Sequence, residues 1–286
     1  MTPLPPLALI GLSSLVMLAF AGNSILNRLA LAEGLIDPVS FAALRVASGA
    51  AILLLLLIAQ GSMGNAWKRP HLASILGLSL YMVGFTQAYL SLDAGVGALV
   101  LFAVVQLSMF AWVVYGGQRI PALQWAGMAL ALGGLTLMLW PSGAVQLSLS
   151  AVALMILAGL GWAAFSLAGA REAAPLPATA WSFVLIAPLF LGLMALNFAN
   201  MHLTWHGVGL ALVAGALTSG LGYALWYLIL PSLGATRAAV AQLIVPVLAI
   251  LLGLVVLEET VGLKFLIAAG IVVAGTLLAL LTKSRS

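Results

Sequence analysis

Amide, hydroxyl and aromatic side chains recur at helical spacing inside long apolar runs, and these are the groups best placed to do chemistry. Asn23 and Asn27 stand four apart, so a helix puts them on one face. Tyr81, Phe85 and Tyr89 repeat every four residues, and Phe102 precedes Gln106 by one turn. Trp162, Phe165, Ser166 and Gly169 form a comparable face, as do Tyr223, Trp226 and Tyr227, and Gln242 lies alone in an apolar run. Such groups can hydrogen-bond and stack against a small solute. The same types also join helices to one another or form interfacial belts. The candidates for contact with a solute are Asn23, Tyr81, Phe85, Phe102, Gln106, Trp162, Phe165, Ser166, Tyr223 and Gln242.

The charged residues point the same way by their placing. No Asp or Glu falls near the middle of an apolar run, and all six acids lie at run ends or in loops. No in-membrane carboxylate is thus offered as a proton carrier. The expectation is uncoupled movement of a neutral or zwitterionic solute down its gradient, although backbone carbonyls could still bind an ion. Arg45 is the basic residue well inside a run. It could meet a substrate carboxylate or a gate, but its depth of about two turns favours an anchor that snorkels to the outer interface. Enzymatic patterns are missing. There is no HExxH, no GxSxG and no pair of membrane carboxylates, and His71, His202 and His206 fall in or near loops. With no cysteine, thiolate chemistry is excluded, and nothing in the pattern asks for a cofactor or metal.

The elements that must position these residues are membrane spans. The chain has 286 residues, 64% hydrophobic and 6% charged. A water-facing domain carries about 25% charged residues, so most of this surface must meet lipid. A net charge of +4 does not indicate nucleic acid, because the ten Lys and Arg are scattered at loop ends rather than set in a stripe. The first apolar run has no basic segment before it and reads as a span rather than a signal peptide. The runs predict ten spans, at 5–31, 38–60, 70–92, 95–116, 121–141, 148–170, 177–197, 204–230, 234–257 and 261–282. Asp37 can cap the second, with Pro38 in its first turn.

With the N-terminus in the cytoplasm, the cytoplasmic ends receive Lys68, Arg69, Arg119, Arg171, Arg237, Lys283 and Arg285. The opposite side receives Arg28 and Lys264 with most of the acids. Both termini are expected inside, in the inner membrane of the cell. Eight spans would satisfy the same charge rule. Sliding the chain on itself by about 140 residues brings Ala98 onto Ala238, Val105 onto Val245 and Thr136-Leu137 onto Thr276-Leu277. Two halves, 1–142 and 143–286, then hold five spans each. An odd number forces the second copy to enter the membrane from the opposite side. Inverted repeats of this kind are common in secondary transporters, with the site at the midplane.

Several segments are similar to those of a known family. They are Gly22-Asn23, the run Asp37-Pro38-Val39-Ser40 through Arg45, Gly222 through Tyr227, Ala238 through Pro246, and Leu257-Glu258-Glu259. On them the chain resembles the drug/metabolite transporter superfamily in its ten-helix EamA-type form, and size and layout look most like the YddG-type amino-acid exporters. The resemblance implies an all-α integral membrane protein with a central cavity lined mainly by spans 1, 3, 4, 6, 8 and 9. It also implies export of amino acids or related metabolites by alternating access. The same architecture serves purines, nucleotide sugars and drugs. Small multidrug members carry a membrane-embedded Glu in the first span, where this chain has Asn23 and Asn27. That departure argues against proton-coupled export of cations.

Overall fold

The computed structural model describes residues 5–61, 72–117, 120–139, 148–172, 174–258 and 262–281. The loop basic residues Lys68, Arg69 and Arg119 and the terminal Lys283 and Arg285 lie outside them. Helices account for the regular structure of the described residues: α1 (Pro6–Ala32), α2 (Pro38–Ala59), α3 (Leu72–Ala88), α4 (Ala94–Tyr115), α5 (Ala122–Leu139), α6 (Leu149–Gly169), α7 (Pro175–Leu196), α8 (Trp205–Val213), α9 (Gly222–Ala241), α10 (Ile244–Val256) and α11 (Leu263–Leu281). Six helical stretches are long and apolar enough to cross a membrane, and the shorter Leu72–Ala88, Ile244–Val256 and Leu266–Ala279 are apolar too.

Local sequence explains where several helices begin and break. Asp37 caps α2 by accepting from the Ser40 N–H at 3.0 Å, and Pro38 fills the first helical position, which needs no donor. Thr204 caps α8 in the same way through the Gly207 N–H at 3.0 Å. Between α8 and α9 the chain widens into a π-helical segment, Ala214–Leu221, so the helical stretch from Trp205 to Gly234 is continuous but not uniform. At Gly234 (φ 72°, ψ 160°) the backbone takes a conformation that a side chain would oppose, and the chain turns there. The helical stretch that follows is split ahead of Pro246. That proline has no N–H for the Gln242 carbonyl, which accepts from the Val245 N–H at 3.0 Å instead. Helix α9 therefore ends at Ala241 and α10 starts at Ile244.

The helices pair as α2 with α7 and the π segment, α3 with α6, α5 with α11, α4 with α6 and α10, and α1 with α8, α9 and α10. Backbone approach is close where small residues meet. A methyl on Gly77 would lie 2.7 Å from the Gly161 carbonyl oxygen, and one on Gly161 would lie 2.5 Å from that of Gly77. At one end of the bundle the loop before α2 is tied to the loop before α8. The Asp37 N–H donates to the His202 carbonyl at 2.9 Å, and the Thr204 hydroxyl donates to the Leu35 carbonyl at 2.7 Å.

Polarity is arranged inside out compared with a water-soluble protein. Leu55, Leu76, Leu107, Leu189 and Leu254 stand exposed, while Asn23, Asn27, Arg45, Gln106 and Gln242 are buried. A surface of leucine and an interior of amides is stable only if the solvent is lipid.

Candidate solute site

The interior residues converge on one chamber. Phe20 from α1, Tyr81 and Phe85 from α3, Leu101 and Phe102 from α4, Trp162 from α6 and Tyr223 from α9 surround a void of about 10 Å³. That volume admits roughly one water. The rings close it by packing on one another. Phe20 meets Trp162 edge-on at 5.2 Å, Tyr81 lies 5.2 Å from Trp162, and Trp162 lies 4.7 Å from Tyr223.

Each polar tip of the lining is held from behind. The Asn23 amide nitrogen donates to the Tyr81 hydroxyl at 2.9 Å, and its oxygen accepts from Thr218 at 3.1 Å. The Trp162 ring N–H donates to the Gln242 amide oxygen at 2.8 Å. Gln242 is placed for this by the break ahead of Pro246, since it is the residue that caps the C-terminal end of α9. Behind Tyr81 and Tyr223 sits Arg45. Its Nε donates to Ser219 at 3.0 Å, and one Nη donates to the Tyr81 hydroxyl at 3.0 Å and the Tyr223 hydroxyl at 3.2 Å. Its guanidinium carbon also lies 5.2 Å from the ring centres of both Tyr81 and Phe85, within cation–π range.

Arg45 corrects the sequence reading. The anchor at the outer interface is not what forms, because Arg45 is fully buried. Depth along α2 allowed snorkelling, but the face that carries Arg45 turns inward, where Ser219 of the π segment and two phenols supply oxygens. The widened segment is what brings both Thr218 and Ser219 to this position, a recurring use of π-helical turns at functional places.

Of the sequence candidates, Tyr81, Phe85, Phe102, Trp162 and Tyr223 line the void. Asn23 and Gln242 hold lining side chains by hydrogen bonds. Phe165 packs on Trp162 at 5.7 Å and accepts, through its carbonyl, from Tyr227 at 2.9 Å. Gln106 and Ser166 are buried with unpartnered polar atoms and are not in the lining. Missed were Phe20, Leu101, Thr218 and Ser219. Phe20 sits three residues before Asn23, on the same face of α1, and that spacing was a usable signal. Thr218-Ser219 stands out as a polar pair among glycines, Gly215, Gly220 and Gly222.

A second cleft, of about 400 Å³, opens between α2, α3 and α7 near the Asp37 end, among Pro38, Val39, Thr86, Phe190 and Asn197. A polar thread joins it to the chamber. Thr86 donates to the Asn27 amide oxygen at 3.5 Å, and Asn27 donates to the Asn23 carbonyl at 2.8 Å. At the cleft's rim the Asp37 carboxylate accepts from Asn197 at 3.1 Å and from the His202 N–H at 3.1 Å. Burial alone would raise this carboxyl, but the hydrogen bonds from Ser40 and from the backbone outweigh it and hold it below its ordinary value.

A helical bundle with a lipid-facing exterior and a buried polar and aromatic centre has the build of a membrane transporter. Comparison with known proteins agrees. Residues 148–281 match the EamA-like transporter family. The chain is 43% identical to the uncharacterized protein PA1977 of Pseudomonas aeruginosa, over 87% of this chain and 86% of that one. It is 25% identical to the uncharacterized transporter YoaV of Bacillus subtilis, over 87% and 89% of the two chains. An uncharacterized transporter of Archaeoglobus fulgidus is 22% identical over 84% and 87%. One solved crystal structure superposes with a TM-score of 0.74 at 20% identity, covering 94% of this chain and 98% of that one, which shows the fold. The match to the EamA-like transporter family over residues 148–281, together with the likeness to two proteins named as transporters, supports a multi-pass membrane transporter of the drug/metabolite transporter superfamily.

Proposed function

We propose that this transporter exports amino acids or related small metabolites across the inner membrane by alternating access, as a facilitative carrier with both termini in the cytoplasm. The observation that carries the reading is the chamber itself. Aromatic faces and hydrogen-bonding tips from both halves of the chain meet around a void too small for any solute. A permanently open channel would keep a water-filled passage here. A carrier between loading events closes instead, and the stacked rings of Tyr81, Trp162 and Tyr223 must part for a solute to enter.

The two-repeat arrangement is supported by the pattern of helix pairing. Exchanging each of the first five spans for its counterpart five later leaves the pairs α2–α7, α4–α10 and α5–α11 in place. It turns the α3–α6 contact into that of α1 with α8 and α9, and the α4–α6 contact into α1–α10. A ten-span bundle built from two oppositely inserted halves has this property. The absence of a carboxylate among the described lining residues supports uncoupled transport.

The stacking faces of Trp162, Tyr223 and Phe20 would equally accept a purine, so export of another metabolite class on the same fold is the second reading. A lipophilic cation fits less well beside Arg45. Purified protein in liposomes, offered free amino acids, nucleosides, sugars and lipophilic cations, separates these readings. Saturable flux of amino acids is expected. Flux of nucleosides or cations alone would replace the substrate class. Uptake that rises strongly with a proton gradient, at zero membrane potential, would sink the facilitative mechanism.

A further inference from the structure

Arg45 holds a positive charge inside the bundle, and among the described residues no acid pairs with it. It is fully buried, and its partners are three neutral hydroxyls, of Ser219, Tyr81 and Tyr223. Its other terminal nitrogen, Nη1, is buried without a hydrogen-bond partner. An arginine within a membrane span costs up to about 2.5–3.5 kcal/mol on insertion scales, and an unpaired buried donor adds to that. Structural needs do not account for the expense, since a neutral side chain could bridge Ser219 to the phenols. The charge is kept next to the chamber, because both phenols that shield it have rings in the lining.

We infer that Arg45 is the carboxylate-binding residue of the solute site, so that the transported solutes bear a carboxylate. The inference rests on the carrier reading proposed above and narrows its substrate class. In the closed chamber, the Tyr81 and Tyr223 oxygens occupy places on the guanidinium that carboxylate oxygens fit better, because bonds between charged groups are roughly twice as strong as neutral ones. Opening of the aromatic wall moves the phenols aside. The free Nη1 and the released Nη2 then form the planar fork that grips two carboxylate oxygens. The Asn23 amide, one hydroxyl away through Tyr81, is left to meet the solute's remaining polar group. The aromatic rings take its apolar part. Binding of the carboxylate neutralises a charge that the described residues around the chamber otherwise leave unpaired.

The test uses the full chain in detergent, with binding read as thermal stabilisation against ligand concentration. The probes are the standard L-amino acids and 3-phenylpropanoate, and the amide of whichever amino acid binds best. Wild type is expected to prefer the carboxylate over its amide by at least tenfold. Arg45→Gln should abolish that preference, and Arg45→Lys, which keeps the charge but not the fork, should restore part of it. Equal binding of acid and amide by wild type overturns the inference whether or not the variants fold. So does a tenfold preference that survives in Arg45→Gln, or stabilisation by none of the carboxylates. Parallel flux measurements in liposomes keep the two ideas apart. Flux of acid and amide at equal rates and affinities leaves the carrier standing and removes the role of Arg45. Selective carboxylate binding without flux does the reverse.

Discussion

Tyr81→Phe deletes a single oxygen atom, and two donors depend on that atom. The Asn23 amide nitrogen reaches it at 2.9 Å and the Arg45 guanidinium at 3.0 Å. The ring itself stays, with its contacts to Phe85 at 5.0 Å and Trp162 at 5.2 Å, so packing is nearly unchanged. What remains is a hydrogen-bond deficit. A bond from a charged donor contributes about 1.5–3 kcal/mol and a neutral one about 0.5–1.5 kcal/mol. Arg45 keeps the Tyr223 hydroxyl at 3.2 Å, which offsets part of the first term. Among the described contacts the Asn23 nitrogen has no other partner, and it is buried, so the second term is lost in full. Destabilisation of about 2 kcal/mol is expected. Tyr223→Phe removes the hydroxyl that Arg45 reaches at 3.2 Å, and it should also be destabilising. Reversible unfolding of the purified protein by sodium dodecyl sulfate in mixed micelles measures both. A double-mutant cycle of Tyr81→Phe with Asn23→Ala should return a coupling of about 1 kcal/mol. If Tyr81→Phe unfolds within about 0.5 kcal/mol of wild type, the network does not support the chamber as described.

Trp162→Ala or Tyr81→Ala should change apparent solute affinity in liposomes more than protein abundance, because both side chains line the void; unaltered kinetics at matched expression would refute their placement. Asp37→Ala removes a helix cap and the tie to Asn197 and His202, and should cost about 1–2 kcal/mol at neutral pH. Because the folded-state carboxyl is held low, its contribution is complete above the ordinary carboxylate pKa and is lost as pH falls through the lower folded value. Melting curves of wild type and Asp37→Ala should therefore converge toward acid, and a constant gap would contradict the shift. Pro246→Ala should restore a continuous ninth span, pull Gln242 from the Trp162 ring N–H and slow transport; unchanged rates would end the idea of a hinge there.

How much of this could be read in advance depended on what kind of fact each residue reports. Asn23, Tyr81 and Trp162 were legible because a polar or amphipathic group inside an apolar run has to find a partner, whatever the packing. Asp37-Pro38 was legible because capping is local chemistry. Phe20 was not, since a phenylalanine in a lipid-spanning helix is as comfortable facing lipid as facing a chamber. The π segment was invisible for a different reason. Its extra width follows from how Gly215 and its neighbours pack against α2, and packing partners are not written in periodicity. Arg45 shows how the two kinds of fact combine. Its depth along α2 is sequence information and permits either a rim or an interior position. The direction of its side chain is set by the π segment, which rotates Ser219 toward it, and by the two phenols, which lie on other spans. A charge that can reach the rim and yet is turned inward has been retained against an insertion penalty of about 3 kcal/mol. Neutral side chains could close the same network without that penalty. A solute that carries the opposite charge offsets it, since it pairs with Arg45 in the loaded carrier. The residue least readable from the sequence is thus the one whose position most narrows what the carrier moves.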